Sequence, residues 1–300
     1  MLADGPLILV ATDFSPTAAA ALEWGTEIAS SHGGRVCLVH ALHLQGPVAD
    51  YLPSPPDLDE HLQGAAAERL QTLAAELAER GVAATTRLEL GLPSQAIVAV
   101  AEELDPALLV QGSRGHTGFA HLLLGSTAER VVQHAPCPVL TVHPGDHEEH
   151  RPVRTILVPT DFSADAERAA QVARSVLAPV EAGARLVLLH AYHLPVEYTA
   201  YGTIPTGLSF QQDVAAVAEE RLAEIAGALR RDGLEVTVMS REGYPPEAIV
   251  QAAREVGADL VAMGSHGRTG LRHLLLGSTA ERVVQHAPCP VLTVRHPDGA

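Results

Sequence analysis

The residues whose spacing points most directly to chemistry are glycines. Gly112 and Gly115 are followed, nine residues on, by Gly125-Ser126, and the arrangement returns as Gly264, Gly267, Gly277 and Ser278. The whole stretch is duplicated. Positions 112–142 read GSRGHTGFAHLLLGSTAERVVQHAPCPVLTV, and positions 264–294 depart from it only at Arg114/His266, His116/Arg268, Phe119/Leu271 and Ala120/Arg272. Glycine accepts φ > 0 and carries no Cβ, so main-chain N–H groups can approach a ligand. Gly-Ser then opens a helix, whose free N–H groups and positive dipole end attract an anion. One such interaction contributes only roughly 0.3–1 kcal/mol when exposed, so several must converge. The expectation is a phosphate site in each copy, to which Arg114 and Arg268 add charge at different places. Ser126-x-x-Glu129 and Ser278-x-x-Glu281 also read as capping boxes, which satisfy one N–H and leave earlier ones open.

The elements that must position these loops are repeated too. LILVATDFS at Leu7–Ser15 returns as TILVPTDFS at Thr155–Ser163, and VCLVHALHL at Val36–Leu44 as LVLLHAYHL at Leu186–Leu194. Two domain-sized copies are expected, 1–146 and 152–300, joined by the polar, proline-bounded PGDHEEHRP at Pro144–Pro152. In the first copy Leu7–Ala11 reads as a buried strand. Ser15 caps a helix that starts at Pro16 and ends near Gly33-Gly34. Arg35–Ala41 is a second strand, followed by a Pro-rich loop, PVADYLPSPPD. A helix with Leu58, Leu62, Leu70, Leu73 and Leu77 on one face then stops at Gly81. Strands at Val82–Leu90, Ala107–Gln111 and Cys137–Val142 alternate with helices at Pro93–Leu104 and Ser126–His134. In the second copy Phe210, Val214, Val217, Leu222, Ile225 and Leu229 share the long helix. Alternating strands and helices imply a parallel sheet with helices on both faces, and a ligand crevice where the strand order reverses. The first and fourth strands would then flank it, with Thr12-Asp13 and the glycine loop at their ends. The apolar last strands, Pro138–Val142 and Pro290–Val294, would be bare edges unless they pair with each other, giving a pseudo-twofold dimer within one chain.

Composition bounds the function. At 300 residues and 47% apolar, the chain can bury two cores, and with 3% aromatics it must build them from aliphatic side chains. A net charge of −16 argues against nucleic acid or an anionic membrane as partner. All 20 cationic side chains are Arg, which excludes a Walker lysine and a Schiff-base lysine. Three Cys without Cys-x-x-Cys fit a reducing compartment. No apolar run reaches membrane-spanning length and the N-terminus lacks a signal-peptide layout, so a soluble, cytoplasmic protein is expected.

Other candidates are weaker. His40 and His43, repeated as His190 and His193, lie three apart on a strand and so on opposite faces; hydrogen bonding is favoured over a metal. His147 and His150 sit in the linker, and His121/His273 and His134/His286 in identical, structural contexts. Cys137 and Cys289 read as buried apolar residues. Tyr192, Tyr198, Tyr201 and Phe210 surround one loop of the second copy, where they anchor the loop, cover a ligand or meet a subunit. There is no nucleophile elbow, zinc motif or kinase signature.

Together, the TDFS turn, the His-Ala end of strand two, the glycine loop and the APCPVLTV ending make both halves resemble the universal stress protein family, in its ATP-binding branch. The resemblance implies two open five-stranded parallel sheets of order 3-2-1-4-5 with the nucleotide between strands one and four. It implies ATP, with or without Mg²⁺, as ligand, and a nucleotide-dependent stress-response regulator as function. A slow ATPase or autophosphorylating enzyme is the alternative. Carried over residue by residue, Asp13 would lie near adenine and ribose, Ala11 and Ala41 beside the base, and Gln111 would flank the nucleotide, with Thr12 among these residues; Gly112, Gly115, Gly125, Ser126 and Thr127 match the phosphate-binding positions, with Arg114 beside them. In the second half Pro159, Thr160, Asp161, Ala191 and Met263 correspond to the first group, and Gly264, His266, Gly267, Gly277, Ser278 and Thr279 to the other. Ala11, where Pro is frequent, and Gln111, where an apolar residue is common, depart from the family pattern. Asp13 reads either as an Asx turn or as a partner of ribose hydroxyls. An adenine nucleotide is the expected partner, and a homodimer of the whole chain is compatible with the sequence.

Overall fold

A computed structural model describes residues 5–43, 58–115, 124–144, 153–176, 185–193, 196–199, 202–205, 208–231, 235–267 and 276–295, without side chains at 176, 196–215 and 231. The Pro-rich loop, the linker with His147 and His150, and His121, Arg268, His273 and Tyr201 lie outside these residues, as do the side chains of Tyr198, Phe210 and Val214.

The first half runs β1 (Leu7–Ala11), α1 (Pro16–Ser31), β2 (Arg35–Leu42), α2 (Leu58–Glu79), β3 (Ala83–Leu90), α3 (Pro93–Leu104), β4 (Leu108–Gly112), α4 (Ser126–His134) and β5 (Val139–Val142). The second runs β6 (Thr155–Pro159), α5 (Ala164–Val176), β7 (Arg185–Tyr192), β8 (Val196–Thr199), β9 (Gly202–Pro205), α6 (Leu208–Arg231), β10 (Glu235–Glu242), α7 (Pro245–Val256), β11 (Leu260–Gly264), α8 (Ser278–His286) and β12 (Val291–Val294). β8 and β9 pair antiparallel in a separate two-stranded sheet, where the sequence alone suggests a loop.

The large sheet has the order β10-β7-β6-β11-β12-β5-β4-β1-β2-β3, so each half contributes five parallel strands ordered 3-2-1-4-5. The halves join through antiparallel β5 and β12, where Leu140 faces Leu292 and Val139 and Thr141 face Thr293 and Val291. Each residue thus meets the counterpart that a twofold relation requires. Side-chain alternation divides the core between the two faces. Ile8 and Val10 of β1 pack with Trp24 and Ile28 of α1 and with Leu70 and Leu77 of α2. Leu9 and Ala11 pack instead with Ile97 of α3 and Val131 of α4.

The long helices depart from expectation at their margins. Leu70 and Leu77 are buried, but Leu58 and Leu62 are exposed, as is Val217 on α6 beside the buried Ala218, Leu222 and Leu229. At about 1.5 Å per residue the 22 residues of α2 span about 33 Å, whereas the eight-residue β3 beneath it spans about 26 Å, so α2 exceeds its strand.

Candidate functional site

β1 and β4 are hydrogen-bonded neighbours, so the crevice lies between their C-terminal ends. At the end of β1 the chain turns sharply. Thr12 Oγ1 accepts from Phe14 N at 3.0 Å, Asp13 Oδ1 accepts from Ser15 N at 3.0 Å, and Ser15 Oγ accepts from Ala18 N at 3.2 Å to cap α1. The second half repeats this at Thr160, Asp161 and Ser163, at 3.0, 3.1 and 3.3 Å. The Asx turn is therefore present at Asp13, and it fixes one carboxylate oxygen. These bonds hold Phe14 and Phe162 at φ of 65° and 64°, a region costly for a residue with a Cβ. The strain is braced from outside: His40 donates Nδ1–H to Thr12 O at 2.8 Å, its ring lies 4.6 Å from that of Phe14, and Arg69 stacks on Phe14. His190, Phe162 and Arg221 repeat the brace. His40 is thus occupied locally; among the described residues no cluster of His, Cys, Asp and Glu could hold a metal ion.

The glycines serve for close approach, not for the φ > 0 that the sequence led us to expect: Gly112, Gly115, Gly125 and their counterparts are absent from the left-handed region. Gly112 is the last residue of β4, where a Cβ would lie 2.9 Å from Thr17 Cγ2 and 3.2 Å from the α1 backbone. A Cβ on Gly115 would collide with Asp13 Oδ2, and one on Gly267 would lie 2.8 Å from Asp161 Oδ2. The first glycine of each loop seats a helix, and the second admits the carboxylate at the end of β1.

The loop then returns to the sheet. Ser113 N donates to Val142 O, and Gly125 N donates to Ser113 O at 2.9 Å. The capping-box reading is corrected here: Gly125 and Gly277 are the N-caps, Ser126 and Ser278 are the first helical residues, and no side chain caps either helix. The first-turn N–H groups of α4 and α8 consequently have no side-chain acceptor, and both turns open into cavities.

Those cavities bring the expected residues together. Ala11, Thr12, Asp13, Ala41, Gln111, Gly112, Arg114, Gly115, Gly125, Ser126 and Thr127 all line one cavity of 380 Å³, which His40 also reaches. In the second half, Pro159, Thr160, Asp161, Ala191, Met263, Gly264, His266, Gly267, Gly277, Ser278 and Thr279 line a cavity of 280 Å³. Gln111 is buried and its Nε2 donates to Ala128 O at 3.0 Å, so it also braces the first turn of α4. Sequence reasoning missed two further lining residues of each cavity, Pro93 and Ile97 of α3 and Pro245 and Ile249 of α7. The repeated Pro-x-x-x-Ile was the available signal, hidden because both isoleucines also serve the core.

An open parallel α/β sheet with a glycine loop and an uncapped helix at its switch point defines a doubly wound domain, present twice. The model of the universal stress protein family matches residues 7–143 and again 152–295, and the chain belongs to that family, with two of its domains in tandem. A universal stress protein of Mycolicibacterium smegmatis is 30% identical over 292 residues, covering 96% of each protein. A Mycobacterium tuberculosis universal stress protein is 30% identical over 302 residues, again covering 96% of each. The crystal structure of a universal stress protein from Archaeoglobus fulgidus shares the fold, with a TM-score of 0.71, 24% identity, and coverage of 98% of this chain and 97% of that one. Among the described residues, no helix is long and apolar enough to cross a membrane.

Proposed function

We propose that each half, 1–146 and 152–300, binds one adenine nucleotide, ATP with or without Mg²⁺, and that the chain acts in the cytoplasm as a nucleotide-dependent stress-response regulator. The observation that carries the reading is convergence: the uncapped first turn of α4 or α8, the glycine loop and the β1 or β6 carboxylate all line one cavity. Volumes of 380 and 280 Å³ lie near the lower end of the roughly 300–1,000 Å³ usual for small-ligand pockets. The polyphosphate would lie against the N–H groups of Gly125, Ser126 and Thr127, where backbone donors and the helix dipole favour negative charge. The apolar side, Ala11, Ala41 and Ile97, suits a base, and Asp13 suits a ribose hydroxyl as donor. Binding would act by favouring one shape or partner; no step of bond breaking is assigned to any residue. The test is calorimetry of the purified chain with ATP, with and without Mg²⁺, beside mass analysis of any small molecule released on denaturation. Binding of up to two nucleotides per chain is expected; no binding under either condition, and no released nucleotide, refutes the reading.

A further inference from the structure

The fourth strand of each domain ends differently in the two halves. Gln111 stands where the second half has Met263, and both are buried in the wall of their crevice. Gln111 lies on the α3–α4 face of the sheet, because Leu109, two residues before it, packs with Ile97 and Val131. The parallel pairing of Val10 with Val110, continued one step, brings Ala11 beside Gln111. The pairing of Leu157 with Val261 likewise brings Pro159 to the level of Met263. Each side chain therefore borders the apolar wall at which the base is placed above.

The amide of Gln111 is held in one orientation. Its Nε2 donates to Ala128 O at 3.0 Å and lies 3.4 Å from Thr141 Oγ1. A main-chain carbonyl can accept only from the amide nitrogen, so the amide oxygen points elsewhere. Among the described residues Oε1 has no hydrogen-bond partner, and it is not sealed from solvent as the buried Ser113 Oγ is. An acceptor fixed in an aliphatic wall separates ligands that offer it a donor from those that do not. Methionine offers no comparable acceptor. Thr12, Asp13, Ser126 and Thr127 are matched by identical residues in the second crevice, and Arg114 and His266, which differ, belong to the glycine loop. His40 also reaches the first cavity, but its Nδ1 is bound to Thr12 O just as that of His190 is bound to Thr160 O.

We infer that Gln111 determines base specificity: its Oε1 accepts from the exocyclic amino group of adenine, so the first crevice rejects a purine with a carbonyl at that position more strongly than the second does. The inference rests on the nucleotide reading above and deepens it by assigning base selectivity to one of its two sites. Hypoxanthine would set its carbonyl oxygen against Oε1, acceptor against acceptor, and leave Oε1 without a donor.

The experiment uses the full chain with one crevice weakened at a time, Ser278→Asp to read the first and Ser126→Asp to read the second. Affinities for ATP and for inosine triphosphate are measured by calorimetry at one pH, and their ratio is the readout. General damage to the turn or to the phosphate subsite weakens both ligands alike and leaves the ratio unmoved. The preference for ATP should be about fivefold to 150-fold greater in the first crevice, the factor that corresponds to one buried acceptor left unpaired. Gln111→Met should bring the first ratio down to that of the second. Met263→Gln should raise the second ratio, because the groups that hold Gln111 have counterparts there: Thr293 pairs with Met263 as Thr141 pairs with Gln111, and Ala280 lines the second cavity as Ala128 lines the first. Equal ratios in the two crevices, or a first ratio unchanged in Gln111→Met, overturn the inference and leave the nucleotide reading intact. If Gln111→Met abolishes binding in the first crevice, Met263→Gln decides: a raised second ratio upholds the inference and an unchanged one overturns it. Failure of the parent chain to bind either nucleotide overturns both readings.

Discussion

A negative charge placed on the first turn of α4 and α8 should move stability and ligand affinity in opposite directions. Ser126 and Ser278 are exposed first-turn residues of helices whose N-caps are glycines and which no side chain caps. An aspartate at each would interact favourably with the uncompensated N–H groups, contributing roughly 0.3–1 kcal/mol per helix. Because the serines are exposed, little desolvation opposes that gain. The two sites have no shared partners, so the effects should add. Together they should raise the melting temperature by about 1–4 °C for halves of this size. The same carboxylate occupies the place proposed for phosphate. A unit charge about 5 Å from another costs roughly 1 kcal/mol in water and roughly 3 kcal/mol at the effective dielectric of a protein surface. The Ser126→Asp, Ser278→Asp chain should therefore bind ATP about fivefold to 150-fold more weakly, while melting no lower than the parent. Calorimetric titration beside a thermal melt reads both effects. Unchanged ATP affinity in the double variant would refute the placement of the phosphates, and a loss of both stability and binding would show only damage to the helix start.

Four further outcomes follow from the same geometry. Gly115→Ala should weaken ATP binding tenfold or more with a normal circular dichroism spectrum, because the new Cβ collides with Asp13 Oδ2; Gly267→Ala, with 2.8 Å to Asp161 Oδ2, should do so less severely. Gly112→Ala should destabilise by about 1–3 kcal/mol in denaturant unfolding, since its Cβ overpacks Thr17 and the α1 backbone. Asp105 caps α3 at φ 44°, where the second half carries Gly257 at φ 60°, so Asp105→Gly should raise the melting temperature by a gain of about 0.5–1 kcal/mol. Burial pushes the Cys137 thiol up to about 12. It should resist alkylation at pH 8 in the folded chain and react at once in denaturant. Because the folded-state value is raised above the 9.0 of an ordinary thiol, its contribution is intact below pH 9 and declines between pH 9 and 12 as the unfolded thiol ionises.

What the sequence made legible was whatever is carried by periodicity and by duplication. The continuous apolar runs of β1 and β4 announced strands buried on both faces, and alternation with helices then left few topologies. The bare last strands pointed to β5–β12 pairing, which the register around Leu140 and Leu292 bears out. What stayed hidden depends on distances between segments far apart in the chain. Gly112 and Gly115 suggest left-handed backbone when seen alone; only the approach of Thr17 and Asp13 explains why a side chain is excluded at each. Ser126-x-x-Glu129 matches a capping box, yet the helix begins one residue earlier than that motif requires, so the serine cannot cap it. Periodicity marked Leu58 and Leu62 as core but cannot tell where the underlying strand stops.

Strain at Phe14 and Phe162 ties the fold to the site. Each half holds a phenylalanine in the left-handed region, at a cost of roughly 1–3 kcal/mol, just before the helix cap. A glycine there would remove the strain, so the phenylalanine ring must return something. It packs between the histidine at the end of the second strand and an arginine of the long helix, at 4.6 and 5.3 Å in the first half and 4.5 and 5.6 Å in the second. The same histidine donates to the carbonyl of Thr12 or Thr160, so β1, β2 and α2 are clamped around the turn that presents Asp13, as their counterparts are around Asp161. On this account Phe14→Gly relaxes the backbone but releases the clamp. Its effect on overall stability should be small, because the two contributions oppose each other, while the carboxylate of Asp13 loses its fixed position over Gly115. ATP affinity of the first crevice, measured with the second blocked by Ser278→Asp, should fall more than thermal stability does. Equal proportional losses of both would mean that the ring serves the core alone.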